Sequence, residues 1–364
     1  MLRYLLLVIL FFHGALHCMG FVRAFGYENF AQLTKHIAKP VGLLWLFTAL
    51  LFFIATALFF TKSNAWWMVG IAAVILSQFL IFSVWKEARF GTIANSIILL
   101  ACLLSFGSWR FEKSYKQDVS SAWQKTKNEA DTISEADLQH LPLAVQKYLR
   151  YVGVVGKQKV WCYKALFDGQ MRDKGKNWFP FTSEQHNFTG QPTRLFFMKA
   201  KMFGVTVPGY HDYKNGRAGM HVKLFGIYPV VSESGGVSNK AETVTIFNDM
   251  CILAPATLID KRIQWKAIND TTAKATFTVG DESITAQLLF NAKGELTNFI
   301  SDDRYVIADK KRYRFSTPVK DYKNFGGYNL PSYGEAIWHY PDGEFVYGQF
   351  HIKNVVYNVY DRSH

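Results

Sequence analysis

The chain has 364 residues, with 41 Lys or Arg against 28 Asp or Glu and a formal net charge of +13. That length permits two folding units of ordinary size. The charge is too moderate, in a chain with long uncharged apolar runs, to mark a nucleic-acid binder, and no nucleic-acid partner is expected. Composition divides the chain. Residues 1–109 hold seven basic residues, two acids and only Pro40 among the ten prolines, and the remainder holds the rest. The first part reads as helices in lipid and the second as a turn-rich soluble domain.

The first apolar run has no charge from residue 4 to residue 22 and contains FFHGALHCMGF. A short basic start followed by apolar residues is signal-like, but small residues before a cleavage point are missing and His17 precedes Cys18, so an uncleaved first helix is expected. His13 and His17, four apart, project on one helix face. They are the candidate metal or haem ligands. Residues 41–109 contain no further His, so the favoured reading is neutral histidines bonded to backbone or to Gln78 and Asn95, with Gly14 and Gly20 allowing close helix packing. No cofactor is expected.

Three more uncharged runs, 41–60, 65–85 and 90–109, each reach the roughly 20 residues needed to cross about 30 Å of hydrocarbon. Trp45, Trp66, Trp67, Trp85 and Trp109 fall mostly near their ends, suited to the headgroup level. A four-helix transmembrane region over 1–109 follows, with membrane lipids as partners. Arg23, Lys35, Lys39, Lys86 and Arg89 share one side, against Arg3 and Lys62 on the other. The excess favours a cytoplasmic (inner) membrane location with the C-terminal domain extracytoplasmic, although Arg110, Lys113 and Lys116 level the count.

Residues 110–137 are charged and polar, a helical linker whose charge run suits a solvated face. Ser134 is placed to cap a first turn and Pro142 to open a helix on which Val145, Tyr148, Leu149 and Val152 face inward, with Gly153 as the stop. From Val160 the period becomes two. AKATFTV, SITAQLLF and ELTNFI form a meander, and GEAIWHY and EFVYGQFHIKNVVYN a hairpin in which Val346, Phe350 and Ile352 share one face and Tyr347, Gln349, His351 and Lys353 the other. That alternation implies a sheet with one wet side. A helix near 241–259 interrupts the strands and is expected to cover the apolar face. The fold class is therefore four transmembrane helices followed, over 138–364, by an α+β, mainly antiparallel β domain with a curved sheet covering helices.

The chemistry is less legible. There is no phosphate-binding Gly loop, no C-x-x-C and no H-E-x-x-H. Candidate acid–base residues are Glu184, His186, His211 and His339. Asp212, adjacent to His211 in a strand, points to the opposite face, and Asp342 is explained by its turn before Gly343. The aromatic content, 31 Phe, 18 Tyr and 10 Trp, suits either core packing or an apolar pocket. Candidate ligand-binding residues are Trp161, Phe196, Tyr210, Trp265 and Trp338. Cys162 and Cys251 could pair only in an oxidising compartment, and spacing does not decide it.

The order of LPLAVQKYLRYVG, PTRLFFMKAKMFGVTVPGYHDYKNGRAGMHVKLFGIYPV, ILAPATLIDKRIQW and LPSYGEAIWHYPDGEFVYGQFHIKNVVYN resembles an uncharacterised family of bacterial membrane proteins with a C-terminal domain of unknown function. HGALHCMGF, GLLWLFTALLFF and WKEARFGTIANSIILL resemble the four-helix region some members carry. At fold level the resemblance extends to lipoprotein-carrier-like half-barrels, which implies a sheet sheltering acyl chains. The expected function is a membrane protein whose β-rich domain binds a lipid or other hydrophobic ligand. An envelope hydrolase using the Glu and His residues is the alternative, and a scaffold without ligand the third reading.

Overall fold

The structure, a computed structural model, describes residues 2–28, 33, 35–126, 131–202, 205–307 and 309–359. It falls into two compact units, Met1–Phe111 with Phe225–Ile227, and Glu112–Leu224 with Tyr228–His364. The 110–137 segment includes 127–130, outside the described residues.

The first unit is built from α1 (Leu2–Ala24), α2 (Lys39–Phe60), α3 (Trp66–Ser83), the one-turn α4 (Trp85–Ala88) and the start of α5 (Gly91–Lys125). Among the described residues four of these, all but α4, are long and apolar enough to cross a membrane. Glycines let α1 and α2 approach closely. A Cβ on Gly20 would lie 2.2 Å from Trp45 Cδ2, and one on Gly14 2.9 Å from Phe52 Cβ. His13 Nε2 bonds Asn95 Oδ1 at 2.9 Å, Asn95 Nδ2 donates to Gln78 Oε1 at 3.0 Å, and Gln78 Nε2 donates to Thr92 at 3.1 Å. His17 Nδ1 meets the His13 carbonyl at 2.8 Å. Both histidines are thus buried, His13 held by an amide and His17 by a backbone carbonyl through Nδ1, while His17 Nε2 has no partner among the described residues.

In the second unit a capping box closes the turn Glu135–Leu138, with Ser134 N–H donating to Asp137 at 2.7 Å. Helix α6 (Leu143–Val152) buries Val145, Tyr148, Leu149 and Val152 and ends where Gly153 takes φ +84°. Left-handed backbone at that position is what a glycine stop supplies.

Among the described residues thirteen strands then form one open, curved, antiparallel sheet. The chain enters at its middle. β1 (Cys162–Met171), β2 (Phe179–Phe188), β3 (Thr193–Met202), β4 (Val205–Lys214), β5 (Arg217–Leu224) and β6 (Tyr228–Ser234) step outward to one edge. Helix α7 (Val237–Leu253) then joins that edge to the other, where β7 (Ile263–Asn269), β8 (Thr272–Val279), β9 (Glu282–Phe290) and β10 (Leu296–Ser301) step back inward. After a two-stranded hairpin of β11 (Tyr305–Val306) and β12 (Lys311–Arg312), β13 (Arg314–Phe325), β14 (Tyr328–Tyr340) and β15 (Gly343–Tyr357) complete the sheet, with β15 pairing β1. A helix linking the two edges must cross the face between them, and α7 packs on β5, β6, β9, β10 and β14.

Alternation with one wet side holds along β8, whose burial alternates strictly, and along β9. It fails along β2 to β4, because residues 112–125 of α5 lie on their outer face. Tyr115 and Val119 are buried there, so this charged segment is helical but is not the solvated linker its composition suggests. The aromatic and methyl groups it carries outweigh a charge run that stays at the rim.

The alternation expected for 343–357 also needs correction. Ile337 pairs Val346 while Ala336 pairs Gly348, so Tyr347 is an extra residue in a bulge. A bulge reverses which parity faces inward, and Tyr347 joins Phe350 and Ile352 on the inner face.

Candidate functional site

Between α7 and the sheet lies a cavity of about 420 Å³, within the range usual for small-molecule pockets. Its geometry begins with α7. Ser238, Ala241, Glu242, Thr245, Asn248, Asp249 and Ile252 all line it. Their spacing of three and four residues is one helical stripe. The opposite stripe, with Val244, Phe247 and Cys251, is fully buried, and Phe247 stacks on Phe277 at 5.2 Å and packs against Phe299 at 5.9 Å. The helix thus packs one apolar stripe into the core and turns Ser238, Glu242, Thr245, Asn248 and Asp249 to the cavity.

Facing that stripe, β1, β3, β14 and β15 supply Phe167, Phe196, Met198, Trp338, Phe350 and Ile352, an apolar wall. Charge enters at two places. Arg194 Nε donates to Asp249 Oδ2 at 2.7 Å, Nη1 to Glu242 Oε2 at 3.2 Å and Nη2 to Gln185 Oε1 at 3.1 Å, and Gln185 Nε2 donates to Asp249 at 2.7 Å. His211 Nδ1 lies 3.9 Å from Glu242 Oε1. All of these groups are buried or nearly so. Burial opposes the charge on Glu242, but the Arg194 guanidinium and then His211 outweigh it and hold the carboxyl at about 2. Burial is the larger effect at Asp249 and pushes its carboxyl above the usual range, against Arg194 and Gln185. One guanidinium serving two buried acids explains why they part in opposite directions.

The second charge is Arg304, between β10 and β11. Its Cζ lies 4.0 Å from the Phe315 ring centroid and 5.1 Å from that of Trp338, and Nη1 donates to the Tyr347 hydroxyl at 2.7 Å.

The structure divides the residues singled out from sequence. Phe196, Trp338 and His211 line the cavity. Glu184, His186 and Tyr210 lie on the other face of the sheet, against α5. The Tyr115 hydroxyl bonds His186 Nδ1 at 2.8 Å and donates to Glu184 at 3.1 Å, Lys164 pairs with Glu184 at 3.1 Å, and the Tyr210 hydroxyl donates to Asp118 at 2.8 Å. Asp212 takes that face too, paired with Lys214 at 3.1 Å, while its neighbour His211 faces inward. Trp161 packs on Trp123 at 4.9 Å, and Trp265 donates from Nε1 to the Leu258 carbonyl at 3.3 Å beside Phe247, so neither borders the cavity. His339 bonds Ser316 at 2.7 Å and pairs with Glu344 at 3.2 Å, away from Trp338's face. Cys162 and Cys251 are separate free thiols, both buried. The sequence pointed to Gln185 only as part of the TSEQHNF cluster and to Asp249 only through the family resemblance, and it did not single out Arg194, Glu242 or Arg304. The only local signal on α7 was its polar stripe, readable as 238, 242, 245, 248, 249 once a helix is assumed.

Compared with known proteins, residues 131–350 match the model of a family described as a family of unknown function, DUF6544. No curated protein matches the chain. Among solved structures, a LolA superfamily protein from Nitrosomonas europaea is similar at 8% identity and a TM-score of 0.35, covering 60% of this chain and 94% of that one.

Proposed function

We propose, for a chain that belongs to the DUF6544 family of unknown function, that its β-rich domain is a membrane-tethered module that holds a lipid or other hydrophobic ligand in the cavity beneath α7. The observation that carries this reading is the 420 Å³ space itself, walled by Phe167, Phe196, Met198, Trp338 and Phe350. Close-packed interiors contain few voids larger than a water molecule. The space is partly open, and its aromatic and methionine wall stays in contact with water unless an apolar guest covers it. The four membrane-length helices keep the domain tied to a bilayer, where such guests are concentrated. The excess of basic residues on the opposite loops supports a cytoplasmic membrane location with this domain on the extracytoplasmic side.

The test is native mass spectrometry of the full chain released from a neutral detergent, with lipid extraction of the same sample. A bound apolar species is expected, and it is expected to be lost in Ala241→Phe, which fills the cavity from α7. A wild-type protein that carries no adduct and takes up none when supplied with lipid would sink the reading.

A second reading, hydrolysis inside the cavity, is favoured by one observation, the approach of His211 to Glu242 at 3.9 Å. A general base acts at about 2.6–3.2 Å from the atom whose proton it takes, so the pair would have to close on a bound substrate. Ester turnover by the full chain that disappears in Glu242→Gln while ligand binding persists would favour it.

A further inference from the structure

We infer that the ligand is an anionic amphiphile, its carboxylate or phosphate head held by Arg304 and its apolar chain running along Phe350 and Ile352. This rests on the hydrophobic-ligand reading and adds the chemistry of the head group.

Arg304, half-buried, differs from Arg194, the buried cation of the cavity, in what its charge meets. Arg194 gives three of its donors to Asp249, Glu242 and Gln185, and its charge meets two carboxylates directly. Arg304, among the described residues, has no hydrogen-bonded carboxylate and donates one hydrogen bond, to the Tyr347 hydroxyl, with Glu242 near enough to feel its charge but not in contact. A guanidinium has five N–H donors in a fixed planar fork and cannot shed its proton. Most of that fork is therefore open, yet its plane is fixed by the rings of Phe315, Trp338 and Tyr347 at 4.0, 5.1 and 5.9 Å. Fixing the fork while leaving its donors free is the arrangement that recognises a planar or tetrahedral oxyanion, since little conformational entropy remains to be lost on binding. Of the acids on the same cavity wall, Glu242 and Asp249 hydrogen-bond to Arg194 at 3.2 and 2.7 Å, so Arg304 acts on Glu242 only at a distance and keeps its donors.

Next along β13 the geometry remains polar. Thr317, two residues from Phe315 and so on the same face, accepts from Asn248 Nδ2 at 3.0 Å, while Asn248 Oδ1 is buried without a partner among the described residues. The head-group end of the cavity is thus marked by Arg304, and the free Asn248 Oδ1, an acceptor, suits a protonated oxygen of the head rather than its charged one. Phe350 and Ile352, on β15 beyond the Tyr347 bulge, mark the apolar end.

The experiment titrates the full-length protein in a neutral detergent with dodecanoic acid, dodecyl phosphate, dodecanol and inorganic phosphate, read by native mass spectrometry. Each acid is expected to bind about tenfold or more tightly than dodecanol, the value of a charge-assisted hydrogen bond over a neutral one. Comparison of the two acids tells a carboxylate head from a phosphate head. Arg304→Gln is expected to abolish the preference of the acids over the alcohol, and Arg304→Lys to keep part of it. Equal binding of acid and alcohol by the wild-type protein would overturn the inference while leaving the hydrophobic ligand intact. Inorganic phosphate bound as tightly as dodecyl phosphate would overturn it too, since no chain would then be needed. Failure of every dodecyl compound to bind would remove the hydrophobic-ligand reading itself.

Discussion

Arg194 shows how much a single buried side chain can control. It faces two acids, and deleting it leaves both uncompensated in the core. Arg194→Met is expected to destabilise the domain by about 3–5 kcal/mol, measured as a lowered urea midpoint. The pH dependence follows from Glu242. Its carboxyl is held at about 2 in the folded protein against an ordinary 4.5. A depressed folded value means stability that is present above about pH 4.5 and is lost as the pH falls through 2, about 3 kcal/mol in all. Asp249 has the opposite sign, because its raised value favours the folded protein at low pH and costs stability as the pH rises. Glu242→Gln should therefore flatten the acid-side fall in urea midpoint between pH 5 and 2. An unchanged acid profile in the variant would contradict this assignment. None of this was legible in the sequence, where Arg194 sits in PTRLFF and Glu242 in KAETV, 48 residues apart along the chain. His211 was singled out for its chemistry and is at the cavity. Glu184 and His186, chosen on the same grounds, face α5, because side chains one residue apart in a strand take opposite faces and residue type does not reveal which face is hollow.

Among elements, the helices were the most legible, because the signals that start and stop them are local. Ser134, Pro142 and Gly153 behave as their positions suggest, and α1 carries its glycines where α2 comes closest. Gly20→Val would place a branched side chain where a single Cβ already lies 2.2 Å from Trp45. It is expected to prevent α1 and α2 from packing, read as loss of a disulfide cross-link engineered between the two helices and as a lowered melting temperature in detergent. Retention of both at wild-type levels would show that the approach is not required. The strands were legible as strands but not in every facing. Tyr347 was assigned to the wet side by strict alternation, and the bulge opposite Ala336 and Ile337 turns it inward to receive Arg304. A bulge depends on the register of the partner strand, which no window along one strand contains. For α7 the converse holds. Its apolar run marked it as a cover for the sheet, while the inward turn of Glu242 and Asp249 required the cavity on one side and Phe277 and Phe299 on the other.

For the whole molecule, a ligand that binds the folded domain stabilises it by mass action, about 2.7 kcal/mol at a hundredfold excess over the dissociation constant. Dodecanoic acid is therefore expected to raise the melting temperature of the wild-type full chain and to leave Ala241→Phe unmoved, and equal shifts in both would place its binding elsewhere. The proposed orientation is tested separately. A periplasm-dependent phosphatase fused after the last residue should be active and a cytoplasm-dependent fluorescent fusion dark, and the reverse pattern would invert the topology. Two properties were settled by the amino-acid sequence alone: helices of membrane length, and a separate antiparallel β domain with a covering helix. Both follow from local rules, since bilayer thickness fixes the length of an apolar run and the pleat fixes a period of two. The cavity and its charges were decided only by the tertiary structure. Gln185, Arg194, Glu242, Asp249, Arg304 and Tyr347 come from four strands or loops and a helix, and they meet because β1 pairs with β15 while α7 spans the sheet from edge to edge. Pairing and crossing are long-range events, so the residues that make the site carry no common mark along the chain.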